Sequence, residues 1–337
     1  MRNRLIPLLA LIPLFAVAAA QEVVNVYSAR HYETDETLYA TFTERTGIDV
    51  RVIEGDSDEL IARMQSEGAN GPADVFITVD AGRLWRAEQA GLLAPLDSSI
   101  VDAAVPANLR HPGDLWVGLT QRVRGIVTSV DRVEEGAITT YEQLADPEWQ
   151  GRVCIRSSGN IYNQSLLASF IETLGAEATE TWAAGVVANM ARTPQGGDTD
   201  QIRAVAAGEC DVAVVNHYYL ARLIAQGDAG DQEVANAVRF VYPNQDGRGA
   251  HVNVSGAGLV ATAPNAENAR IFIEYLVSAE AQEVFASGNN EYPVVEGAVA
   301  GEVTQSFGDF VSDAVNVAVY GENNPEAVRI FDRVGWR

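Results

Sequence analysis

The stretch DVAVVNHYYLARLIAQ, residues 211–226, decides the fold. After Asp211 its first residues are small or β-branched and uniformly apolar, without the alternation of a half-wetted strand. That is the pattern of a strand buried on both faces. Asn216 follows, a residue type that caps helices, and residues 217–226 continue as the helix. A buried strand that runs straight into a helix is half of a βαβ unit, and it implies a parallel sheet covered by helices.

The same alternation extends outward on both sides. Residues 23–27 (VVNVY) read as a strand, Thr34-Asp35 as a helix cap, and Gly47 as the end of the helix carrying Leu38 and Phe42. Residues 48–53 (IDVRVI) form a second strand, 58–68 a short helix, 74–79 (DVFITV) a third strand, and a helix through Leu84 and Trp85 ends at Gly91. Residues 115–130 (LWVGLTQRVRGIVTSV) are one long strand-rich run, suited to carry the chain out of a first lobe. Beyond it, 153–156 reads as a strand, Ser157-Ser158 as the cap of a helix over 160–174, and 199–207 as a short helix. The chain returns through a strand beginning at 240–243 and a buried strand at 256–261, and helices follow at 266–278, 279–287 and 325–334. Lobe two is therefore an insertion, 125–249, between 21–124 and 250–337, which together build lobe one.

The chain begins with Arg2 and Arg4, an apolar stretch over 5–20 broken by Pro7 and Pro13, and Ala18-Ala19-Ala20 before Gln21. This is the layout of a secretory leader cleaved after Ala20, and the stretch is short for a membrane span. The expected location is the periplasm. Two cysteines, Cys154 and Cys210, are too few for a thiolate metal site. In an exported chain an even count invites one disulfide, the alternative being two buried thiols. Acidic residues number 46 against 23 basic ones, a net charge of −23. Such a surface repels phosphate backbones and anionic lipid, which argues against nucleic acid and membrane-surface partners. No GxSxG, HExxH, GxxxxGK[ST] or CxxC motif is present, so no enzyme is indicated.

Open α/β sheets bind ligands beyond the carboxyl ends of their strands. Three strand exits carry tyrosine: Ser28-Ala29-Arg30-His31-Tyr32, Ser157-Ser158-Gly159-Asn160-Ile161-Tyr162 and Asn216-His217-Tyr218-Tyr219. Phenolate is a hard anionic donor suited to a hard, highly charged cation. Helix N-termini and nearby guanidiniums favour the ionised phenol, and Arg122 and Arg222 are placed to supply the latter. Taken singly, each tyrosine also fits a half-buried packing role, and an aromatic-lined amine or sugar pocket would use the same residues. His31 reads as a ligand nitrogen or as a loop residue. His111, His217 and His251 read as structural or surface groups, and Asp56 and Asp80 as helix caps. Residue types and spacing stop at a two-lobed binding protein for a cation or an aromatic-lined ligand.

Seven stretches carry a resemblance: VYSARHY (26–32), ADVFITVD (73–80), LWVGLTQRVR (115–124), CIRSSGNIYNQSLL (154–167), GECDVAVVNHYYLARL (208–223), GRGAHVNVSGAG (247–258) and NNEYPV (289–294). In this order they resemble the periplasmic ferric-ion-binding proteins of ABC-type iron importers, in the tyrosine-rich, anion-independent branch. The resemblance implies an α/β periplasmic binding protein fold of type II, two lobes joined by crossing hinge strands. It implies Fe³⁺ as the transported ligand, with Tyr32 from lobe one and Tyr162, Tyr218 and Tyr219 from lobe two as ligands. His31 stands where a histidine coordinates in some relatives and stands aside in others. Arg122 and Arg222 would sit behind the phenolates, Cys154 would pair with Cys210, and a monomeric chain would deliver its ion to a membrane permease. The alternative is the same fold holding an oxyanion or a polyamine, with Arg122, Arg222 and the helix starts at Ser158 and Asn216 as the anion's donors.

Overall fold

The computed structural model describes residues 22–337, so the expected leader over 1–20 lies outside the described residues. In chain order the first half comprises β1 (Val23–Ser28), α1 (Glu33–Thr46), β2 (Asp49–Glu54), α2 (Ser57–Glu67), β3 (Val75–Val79), α3 (Ala81–Gln89), β4 (Leu93–Ala94), α4 (Ser99–Ala104) and β5 (Val117–Ser129). The middle comprises β6 (Val153–Cys154), α5 (Ile161–Leu174), α6 (Ala176–Asn189), α7 (Asp198–Ala207), β7 (Val212–Asn216), α8 (His217–Gln226), α9 (Ala229–Asn236) and β8 (Val238–Val241). The return comprises β9 (Val252–Val260), α10 (Ala266–Leu276), α11 (Ala279–Asn289), β10 (Tyr292–Pro293), α12 (Glu302–Gln305), α13 (Val319–Glu322) and α14 (Asn324–Val334).

The strands form one ladder in the order β2-β1-β3-β9-β5-β7-β6. β1 is parallel to β2 and β3, and β6 is parallel to β7, as βαβ connections require. β5 belongs to both halves: residues 117–123 pair with β9, and from Arg124 onward the strand pairs with β7 and β8. β5 thus runs from one lobe into the other, and the chain crosses back between β8 and β9. The two crossings are tied together, because Arg124 N donates to His251 O at 3.1 Å, and Tyr141 Oη donates to Arg124 O while accepting His251 N at 3.1 Å. His251 is buried with its Nδ1 against Ser169 Oγ, and burial holds its imidazole well below the usual range, hence neutral.

The central strands are buried along their whole length, β7 and β9 completely, because helices cover both faces. A smaller apolar cluster under α7 and α8 contains Ile202, Val205, Val215 and Leu223, together with Cys154 and Cys210. These two cysteines are joined in a disulfide with Cα atoms 5.9 Å apart.

Three local readings change. The cap of α1 is Tyr32, not Thr34-Asp35: Thr34 Oγ1 is engaged by Asn289, and Asp35 is held by Arg30 Nε at 3.0 Å. The strand expected over 153–156 stops at Cys154, because Arg156 O is taken by the side chains of Asn163 (2.8 Å) and Trp336 (3.0 Å) instead of a neighbouring strand. The cap of α5 is Asn160 rather than Ser157-Ser158, whose carbonyls accept from the Asn163 and Gln164 amides. The last two helices, grouped with lobe one in the sequence, touch both sides: α14 packs on α5 and α6, and α13 on α5 and α3. Buried Ile330, Phe331 and Trp336 form that contact, with Trp336 against Trp182 at 6.3 Å between centroids.

Candidate metal centre

β1 ends at Ser28, and Tyr32 caps α1 in extended conformation, φ −115° and ψ 123°. That geometry swings its phenol across the top of the sheet. On the other lobe, Tyr162 is the second residue of α5, and Tyr218 and Tyr219 are the second and third of α8. The helix starts therefore direct three phenols toward the same crevice. Tyr218 Oη lies 3.4 Å from Tyr162 Oη, and the Tyr218 and Tyr219 rings stack at 4.5 Å with planes 32° apart. Adjacent residues reach one site because both belong to the first turn of α8, at its open end.

Arg222 stands one turn further along α8. Its guanidinium carbon is 4.9 Å from the Tyr218 ring centroid, 5.2 Å from Tyr219 and 5.6 Å from Tyr32. It gathers rings from both lobes and has no carboxylate partner among the described residues. All 23 basic residues of the chain are arginine, and the planar guanidinium suits such stacking. Arg156 and Arg124 flank the Tyr162 ring at 5.6 and 5.9 Å.

Tyr32 has different company. Its hydroxyl donates to Glu291 Oε1 at 3.3 Å and accepts from Arg122 Nη2 at 3.2 Å. Glu291 is fully buried between Arg122 (2.6 Å) and Arg30 (3.1 Å), and Thr120 Oγ1 donates to it at 2.6 Å. Burial alone would raise its carboxyl, but Arg122 and Arg30 overcome that and bring it to about 2. Sequence reading missed both Glu291 and Arg30. The short β10–β5 pairing sets Tyr292 opposite Gln121, which carries Glu291 to the side of Arg122.

Burial raises three of the phenols further above a value at which phenol is already protonated at neutral pH. It raises Tyr32, with Glu291 adding to it against the nearby arginines. It raises Tyr218 well above the ordinary value, with Tyr162 next in effect, and takes Tyr219 to about 12. His217, beside them, accepts from Val123 N at 3.2 Å and stacks on Tyr292; burial lowers it to about 4, so it is a neutral packing group. His31 is not gathered with the tyrosines: its ring is half exposed, with Nδ1 3.6 Å from Glu54. Asp80 caps α3 by accepting from Gly82 N at 2.9 Å. Among the described residues no group of three His, Cys, Asp or Glu side chains could hold a metal ion. The crevice chemistry is thus that of four phenols under guanidiniums.

Residues 70–307 match the family of bacterial extracellular solute-binding proteins. Iron uptake protein A1 of Synechocystis is 49% identical over 325 residues, which are 96% of this chain and 90% of that protein. A solved Trichodesmium protein, described as IdiA or FutA in complex with iron and citrate, is 54% identical with a TM-score of 0.92 over 94% of this chain and all of that one. The ferric binding protein of Campylobacter jejuni is 38% identical with a TM-score of 0.87, over 93% of this chain and all of that one.

Proposed function

Because the chain belongs to the bacterial extracellular solute-binding proteins, in the group of the iron uptake and ferric-binding proteins, we propose that it captures Fe³⁺ between its lobes. The observation that carries this reading is the convergence of Tyr32 with Tyr162, Tyr218 and Tyr219 around Arg222. Ferric ion arrives on a weak chelate and displaces the phenolic protons, since a hard trivalent cation outcompetes a proton for phenolate. The open protein offers the three tyrosines of lobe two, and closure adds Tyr32. The ion stabilises the closed state because only that state presents all four ligands.

Charge accounting supports the assignment. Four phenolates exceed one Fe³⁺ by a single negative charge. Arg122 and Arg30 are already matched by Glu291 and Asp35, whereas Arg222 is free to balance the excess. The same pairing weakens the oxyanion alternative, since of the two arginines named for it Arg122 is committed to Glu291 and only Arg222 is uncommitted. The protein would work in the periplasm after loss of residues 1–20, and deliver its ion to an ABC permease. Reduction would assist release, because Fe²⁺ is softer and less charged and is held less well by phenolate.

Native mass spectrometry tests the reading. Metal-free protein given ferric ion as a weak chelate is expected to gain one iron per chain, and to lose it on adding dithionite. A chain that takes up no iron while remaining folded contradicts the proposal.

A further inference from the structure

Away from the crossing strands and the last two helices, a side-chain contact between the lobes involves no proposed ligand. Asp80 follows β3 in lobe one, and Ser165 lies on α5 in lobe two, three residues beyond Tyr162. Ser165 Oγ donates to Asp80 Oδ1 at 2.6 Å, a short bond to a carboxylate. Both residues are essentially buried, at 1% and 0% exposure. Asp80 Oδ2 is also buried and has no hydrogen-bond partner.

The backbone at Asp80 is costly as well. Its φ of +82° is a conformation that residues with a side chain rarely adopt. The conformation is held from several directions: Asp80 N donates to Val254 O at 2.8 Å, and Asn253 Oδ1 accepts from Ala81 N at 2.9 Å. Helix capping alone does not require it, since Asp80 Oδ1 also reaches across to α5. The surfaces there meet closely: a Cβ added at Gly82 would lie 3.2 Å from Ile161 Cδ1 and 3.5 Å from Ser165 Oγ. Asp80 further borders a cavity of about 10 Å³, shared with Arg122, Arg124, Tyr162 and Asn216. That is room for about one water. The contact therefore lies directly behind the Tyr162 end of the phenol cluster.

We propose that Asp80 and Ser165 form a latch between the lobes, a hydrogen bond independent of the cargo that holds α5, and with it Tyr162, against lobe one. The proposal rests on the opening and closing described above. When the lobes part, the bond breaks and the carboxylate is rehydrated. While they are closed, the bond adds to closure whether or not an ion is present. Asp80 and Ser165 act as positioning residues, since neither touches the ion.

Ser165→Ala removes the hydroxyl and leaves the Asp80 cap on α3 in place. In metal-free protein the distance between spin labels on the two lobes is expected to shift toward the open form, with the open-to-closed ratio rising about tenfold, as the loss of one hydrogen bond to a charged group implies. In the loaded protein iron dissociation is expected to quicken by a similar factor, with the position of the visible band unchanged. Asp80→Asn should shift the ratio in the same direction. The double variant should add little beyond the larger single effect, because the two groups share one bond. If Ser165→Ala lowers thermal stability but leaves the spin-label distances as in the wild type, the contact is a fixed pivot and the latch is refuted. The label measurement needs no iron, so a chain that shifts its distances yet binds no ferric ion would keep the latch and overturn the ferric reading.

Discussion

The two sides of the crevice hold tyrosine by opposite means. Tyr32 is fastened into an ionic lattice of Arg30, Glu291, Arg122 and Asp35 that is matched charge for charge and buried. Tyr162, Tyr218 and Tyr219 lean on one another and on guanidiniums, chiefly Arg222, without a carboxylate acceptor for their protons. One side is a rigid frame that presents a phenol already bonded; the other is a nest of phenols with an uncommitted positive charge. The difference suggests a division of labour. On the proposed reading, lobe two would supply most of the affinity, and lobe one would supply a ligand released from Glu291 when the ion arrives.

The contrast can be broken at its strongest point by Glu291→Ala. Removing the carboxylate leaves Arg122 and Arg30 buried without their counter-charge, a class of change that costs about 3–5 kcal/mol. Denaturant unfolding of the metal-free protein is expected to register that loss; a stability equal to the wild type would mean the frame is not ionic. Next in size is Tyr218→Phe, which should weaken ferric binding by more than about 100-fold, since even groups behind the ligands commonly contribute 10–100-fold. Competition against a chelator of known strength measures it. Tyr32→Phe should cost only about tenfold and show mainly in the dissociation rate, as expected of a ligand that joins at closure. Equal losses for Tyr32 and Tyr218 would erase the proposed division. The smallest effect is expected for His31→Ala, within about twofold in affinity, because its ring faces Glu54 at the surface. A larger loss would bring His31 back into the coordination sphere.

Much of this was legible in the chain. Strands β1, β3 and β7 declare themselves by apolar runs that end at helix starts and β2 by its alternation, and the rule that α/β ligands gather at strand exits singled out the four tyrosines without any contact information. Glu291 was not legible, because it lies on no long strand or helix. Its meaning comes from β10 pairing with β5, a contact across 171 residues between Thr120 and Glu291. His31 and Tyr32 are neighbours in sequence but diverge in space, since successive side chains in extended backbone point to opposite sides. The same limit explains α14. Its apolar stripe is plain in the sequence, but its packing on α5 and α6, and that of Trp336 just beyond it on Trp182, depends on partners far away along the chain.

The central claim is that the four phenols, and no other donor set, hold a ferric ion. Visible absorption tests it most directly: metal-free protein is titrated with ferric ion as a weak chelate. The account predicts a broad phenolate-to-iron charge-transfer band that saturates at about one iron per chain, and that dithionite bleaches. A folded protein that develops no such band would contradict it.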